Sequence, residues 1–231
     1  MPVRPALSPE ARPVAASEAM RRWAAAEDPP RVLLAARWPI RGVRAHLLAN
    51  DLALRSVGFR FTFVGPNDES LRRLREGCGE GDGLDLVGAP VENGRCRLWP
   101  VLRRLLREGS HALIHSHGLT ATAHASLANL GIGLPHVVTL HEPLRPHQFP
   151  GWLGGMKRWT LCRSLARADA IIMASRAARA NLLEHVPSLR IHAERVLVCI
   201  ESGDTDCLAA LLARFVSSSR STAVPSEPIA A

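Results

Sequence analysis

Three short stretches carry residues whose types and spacing can do chemistry. HSHG (115–118) sets His115 and His117 two apart, and TLHE (139–142) ends on His141 and Glu142. A neutral imidazole beside a loop can donate a hydrogen bond or shuttle a proton near neutral pH, and a carboxylate next to it can orient the ring or bind a hydroxyl. On a continuing strand His115 and His117 share one face, so with His111 or His141 they form a conceivable metal set and hence a hydrolase. The carboxylate that usually completes such a set has no candidate apart from Glu142. The third stretch, RWPIRGVR (37–44), places Arg41 and Gly42 where a glycine lets backbone amides approach a phosphate at a helix start. It holds one glycine, so it is neither a dinucleotide fingerprint nor a P-loop, and HEPLR (141–145) is not HExxH because position 145 is Arg.

The elements that must position these residues follow from apolar runs and breakers. RVLLAA (31–36), FRFTFVG (59–65), LDLVGAP (84–90), HALIHSHG (111–118), LPHVVTLHE (134–142), ADAIIMAS (168–175) and RVLVCI (195–200) read as strands. Between them AHLLANDLALRSVG (45–58), PNDESLRRLREG (66–77, capped by Asp68 or Ser70), LWPVLRRLLREG (98–109), LTATAHASLANLG (119–131), MKRWTLCRSLARA (156–168) and RAARANLLEHV (176–186) read as helices. Strands alternating with helices predict an α/β fold, a Rossmann-like doubly wound and mostly parallel sheet in a single domain. In such sheets ligands sit beyond the carboxyl ends of the strands, near the point where strand order reverses. Arg41, Gly42, His115, His117, His141 and Glu142 all fall on that rim.

The ends look different from the middle. Residues 1–30 form a Pro/Ala-rich leader that reads as disordered, apart from a short helical stretch at 17–27, and the folded domain spans 31–206. Residues 207–231 read as a short helix (LAALLARFV) followed by a disordered Ser/Pro-rich tail. One domain of roughly 100–200 residues fits this length and two full α/β domains do not. The chain has 47% hydrophobic residues, which excludes a wholly disordered protein, and its five cysteines form no CxxC pair, which argues for reduced thiols over disulfides or structural zinc. No run reaches membrane-spanning length and the N-terminus lacks a signal-type apolar stretch, so a cytoplasmic chain is the expectation. The net charge of +8 comes from 29 basic residues of which only Lys157 is lysine, so it favours anionic ligands without defining a nucleic-acid surface. Binding to nucleic acid is not expected, since no recognised module is present.

One basic segment stands apart. Arg145, Lys157, Arg158, Arg163 and Arg167 interleave with Trp152, Leu153, Trp159 and Leu161, and 145–167 contains no acidic residue. Two readings stay open: a solvated helix face in an Arg-rich protein, or peripheral contact with an anionic membrane on its inner face.

In order along the chain, IRGVRAHLLANDLA, HALIHSHG, PHVVTLHE, ARADAIIMASRAARANLLE (166–184) and RVLVCIESGDTD (195–206) resemble the landmarks of the family 4 glycosyltransferases. The resemblance is to the N-terminal, acceptor-side domain of that family's GT-B fold, half of the complete fold. It implies retaining transfer of a sugar from a nucleotide-sugar to a hydroxyl acceptor, for a cell-envelope or exopolysaccharide product, with no cofactor or metal. Carried over by position, Gly42 would approach the donor phosphate or sugar and His141 would be the histidine near the transferred sugar. His117 would be the motif histidine, with Gly203 and Asp204 at the inter-domain hinge. The sequence departs from the pattern at Arg41, which replaces the first glycine of a pair, and at Arg44, which replaces a glutamate. The family's Glu-x7-Glu motif and its nucleotide-binding domain do not follow residue 206, so the expectation is a domain inactive alone. That leaves two alternatives, a truncated remnant or a subunit paired with a separately encoded C-terminal domain.

Overall fold

The computed structural model describes residues 29–37, 43, 47, 52–78, 83–145, 149, 151, 153–173, 175–192, 197–199 and 205–221. Residues 1–28 of the leader, Arg41, Gly42, Arg44, residues 45, 46 and 48–51 of the helix expected at 45–58, and Gly203 and Asp204 lie outside them.

Seven strands form one sheet: β1 (Arg31–Ala36), β2 (Arg60–Pro66), β3 (Leu84–Ala89), β6 (Leu113–His117), β7 (His136–Leu140), β8 (Ala170–Met173) and β9 (Leu197–Cys199). Their order is β3-β2-β1-β6-β7-β8-β9 and every adjacent pair is parallel, as the apolar runs predict. Sequence order reverses between β1 and β6, where Ala36 lies opposite His117. The switch point therefore falls at the carboxyl end of the HSHG strand.

Burial on both faces explains the composition of these strands. On one face Val32, Leu34, Phe61, Phe63, Leu113, Val137 and Ile172 join a core with Val43, Leu47, and Leu71 and Leu74 of α1 (Glu69–Cys78). On the other face two clusters pack beneath α2 (Leu98–Arg107), α3 (Leu119–Ala128), α4 (Leu153–Leu165) and α5 (Arg176–His185). Asp68 accepts from the Ser70 backbone N–H at 2.8 Å, so Asp68 caps α1.

Four local features differ from the sequence reading. Residues 52–57 wind as a 3-10 helix, which closes against Gly58 (φ 91°) and drops Leu54 into the core. Val91–Glu92 (β4) and Arg95–Cys96 (β5) form a hairpin across Asn93–Gly94, both with positive φ (50° and 69°), the turn that Asn-Gly favours. The chain enters α4 at Leu153, so the glycine pair Gly154–Gly155 is helical instead of part of the loop. A Cβ on Gly154 would lie inside van der Waals contact of the Phe149 carbonyl oxygen, which accounts for a glycine at that helix start.

The fourth concerns the C-terminal stretch. Residues Thr205–Ser221 form one 17-residue helix, α6, which runs through the serines expected to be disordered. Its Leu208, Ala209, Leu212, Ala213, Phe215 and Val216 are buried in the same core as Leu113, Val137, Ala170 and Ile172. The crossover helices after β6 and β7 lie on the opposite face, so α6 covers strands that would otherwise present apolar side chains to water. Leu212→Ala is expected to lower unfolding stability by about 2–5 kcal/mol in urea titrations, because Leu212 is fully buried. Leu127→Ala, at a leucine 51% exposed, is expected to change it by less than about 0.5 kcal/mol.

Candidate functional site

Strand periodicity and register gather the predicted histidines into a column. Alternation puts Leu113, His115 and His117 on one face of β6, and pairing places His117 opposite Thr139 on β7. His141, two residues past Thr139, continues on that face just beyond the end of β7. The His115 and His117 ring centroids are 4.4 Å apart, and those of His117 and His141 are 5.3 Å apart with planes 20° from parallel.

Hydrogen bonds lock the column. A His115 Nε2···Thr139 Oγ1 bond of 2.8 Å holds the lowest ring, and a His117 Nδ1···His141 Nε2 bond of 3.1 Å joins the upper two. In the latter one nitrogen donates and the other accepts, so one of the two must be bare. Exposure rises along the column, from 0% at His115 and 3% at His117 to a half-buried His141 at the rim. His141 is thus the imidazole a ligand would meet, and the two below it fix its orientation. Glu142 sits beside it, exposed.

The alternative of a metal-dependent hydrolase does not fit this arrangement. Nitrogens that would have to converge on an ion are turned to each other and to Thr139. Among the described residues no group of three or more His, Cys, Asp or Glu side chains could hold a metal ion.

The opposite face of β6 fixes the turn into α3. Ser116 Oγ lies 2.8 Å from His136 Nε2 and 3.1 Å from Thr122 Oγ1, and Thr122 donates to the Gly118 carbonyl at 2.8 Å. Gly118, at φ 80° and ψ 165°, occupies a conformation essentially reserved for glycine, and its N–H donates to Thr139 O at 2.9 Å. The rim loop after His141 is pinned from α5. Asn181 Oδ1 accepts from Leu144 N at 2.7 Å and Asn181 Nδ2 donates to Leu144 O at 3.2 Å.

Of the predicted site residues, His115, His117 and His141 come together, Glu142 lies alongside, and Arg41 and Gly42 fall outside the described residues. One contributor escaped the sequence reading. Thr139 anchors the column, and the alternation of HVVTLH would have marked it as facing the histidines. Arg37, the first residue past β1, is near enough for its charge to help lower the His124 pKa, after burial, and to oppose the burial that pushes up the Cys96 thiol. His124 Nδ1 accepts from the Trp99 backbone N–H at 3.1 Å, so that nitrogen carries no proton.

Residues 40–198 match the model of the family described as Glycosyltransferase Family 4. Alpha-maltose-1-phosphate synthase of Mycolicibacterium smegmatis is 36% identical over 90 residues, which cover 36% of this chain and 23% of that protein. Among solved structures, Anabaena HepE in complex with UDP superimposes with a TM-score of 0.55 at 15% identity, over 75% of this chain and 44% of HepE. A sucrose-phosphate synthase structure from Thermosynechococcus elongatus gives 0.51 at 13% identity, over 81% of this chain and 98% of that one. The chain thus spans less than half of HepE and about a quarter of the maltosyl-phosphate enzyme.

His136, behind the rim, ties stability to pH. Complete burial, with the nearby His115 as a smaller cause, holds its pKa down at about 3 against an ordinary 6.5. Between those values the unfolded chain takes up a proton that the folded one refuses, so stability falls as pH drops, by about 1.4 kcal/mol per unit. His111 and His124, also lowered chiefly by burial, act in the same sense. Urea midpoints at about pH 4.5, 5.5 and 7 are expected to show this slope, and His136→Gln is expected to flatten it without abolishing it.

Proposed function

Because the chain belongs to glycosyltransferase family 4, we propose that it forms the acceptor-side wall of a cleft for retaining transfer of a sugar from a nucleotide-sugar to a hydroxyl. The observation that carries this reading is the His117–His141 pair, bonded at 3.1 Å and standing at the switch point of a parallel sheet. A ring fixed from below can present a hydrogen bond to a sugar hydroxyl without paying to be ordered when the ligand arrives. An interaction that tightens as the sugar–phosphate bond breaks stabilises the transition state more than the bound substrate. In this reading His141 contacts the transferred sugar, His117 and His115 position it, and Glu142 and the Arg41–Gly42 loop border substrate. The complexes of HepE with UDP and with UDP-glucose support a nucleotide-sugar as donor.

The donor's nucleotide needs a second wall, and the proposal assigns it to a further α/β domain, whichever chain carries it. The test is a transfer assay with labelled UDP-glucose and a glucoside acceptor, run on the 231-residue chain alone and with that second domain present. The chain alone is expected to give no turnover, and robust turnover by it would overturn the two-wall reading. With the second wall in place, His141→Ala is expected to lower kcat/KM by about 10²–10³-fold. An unchanged rate in that variant would remove His141 from the site.

A further inference from the structure

The outward stripe of α4 mixes large apolar side chains with basic ones. Positions 156, 159, 160 and 163, spaced i, i+3, i+4 and i+7, are Met156, Trp159, Thr160 and Arg163, and all four are exposed. Met156 is 61% and Trp159 66% exposed, the two most exposed large apolar side chains among the described residues. The inward stripe is ordinary core, with Leu161 and Leu165 buried under β7 and β8. Lys157 is exposed early in the helix, and Arg167 is exposed two residues past its end.

Charge on this face is of one sign. On α1 and α2 arginines have acids within reach on the same helix: Arg72 and Arg73 meet Glu69 on α1, and Arg104 lies near Glu108 on α2. From Pro143 to Ala168 the sequence has no Asp or Glu, so α4 cannot neutralise its own cations. Arg158 is used internally, donating from Nη2 to the His185 carbonyl at 2.8 Å and fastening α4 to the end of α5.

We infer that this stripe docks on the surface of a bilayer rich in anionic phospholipid, with Trp159 and Met156 entering the headgroup–acyl boundary and Lys157, Arg163 and Arg167 pairing with headgroup phosphates. A tryptophan and a flexible thioether flanked by unneutralised cations suit the interface, where one end of the contact is apolar and the other charged. An acidic protein groove would complement the cations but would not call for two large side chains held in water. The contact is with a surface, since no described helix is long and apolar enough to cross a membrane. The inference stands apart from the proposed sugar transfer and does not depend on it.

Co-sedimentation of the full chain with vesicles tests it. Vesicles of phosphatidylcholine with about one third phosphatidylglycerol are expected to capture the protein at low salt, and pure phosphatidylcholine vesicles are not. Each neutralised cation is expected to weaken partition by about fivefold, so the double variant Lys157→Gln/Arg163→Gln loses about 25-fold. Trp159→Ala is expected to lose about tenfold at any salt. Circular dichroism should be unchanged in all of them, because the altered side chains are exposed. Equal capture by both vesicle types, or no loss in the double variant, would overturn the inference. So would a concentration-dependent dimer that Trp159→Ala dissolves while phosphatidylglycerol vesicles capture nothing.

Discussion

The parallel pairing of β1 with β6, in register from Val32 opposite Leu113 to Ala36 opposite His117, is the constraint on which the rest of the molecule rests. It joins strands far apart in sequence and reverses the strand order there. That reversal opens the crevice in which a doubly wound sheet can take a ligand. It also fixes the pleat of β6, and a slip of one residue would turn His115 and His117 to the opposite face and bring Ser116 into their place. The imidazole column, the Ser116–His136 bond and the turn at Gly118 are all consequences of that single register.

The buried polar side chains of this sheet bond in two sets divided by β6. On one side the histidines lean on Thr139, and on the other Ser116 joins His136 to Thr122 and so to the Gly118 carbonyl. Both sets converge on the few residues where β6 ends and α3 begins. Hydroxyls short enough to have one or two partners in reach give that corner a defined geometry, which packing alone would leave softer. The cost is a buried histidine that must stay neutral, His136, held to a pKa of about 3.

Much of this was legible in the amino-acid order, and the reasons differ by element. The strands read plainly because burial on both faces leaves them almost wholly apolar, and Gly58 and Gly109 mark the helix ends with the positive φ that glycine alone takes cheaply. The histidines read as a cluster, but their contacts did not, since a bond between His117 and His141 depends on cross-strand register and not on spacing. The Asn93–Gly94 hairpin was present as a signal and passed over, its strands being two residues each. Gly154 and Gly155 looked like loop because glycine disfavours helices, and only the nearness of the Phe149 carbonyl reveals why one of them belongs there. The serines of α6 misled in the same way: propensity spoke for coil, and the burial of Phe215 and Val216 overrode it.

The return of α6 to the first face also bears on how the chain reaches its fold. Synthesis proceeds from the N-terminus, so β6, β7 and β8 can pair, and α3, α4 and α5 can cover one side, before α6 has been made. Until residues 205–221 emerge, Leu113, Val137, Ala170 and Ile172 face water as a continuous apolar strip. Parallel pairing is slow because each strand waits on a crossover, which lengthens that interval. Of the described helices α6 is made last, and a chain that lacked it would offer that strip to aggregation or to chaperone capture.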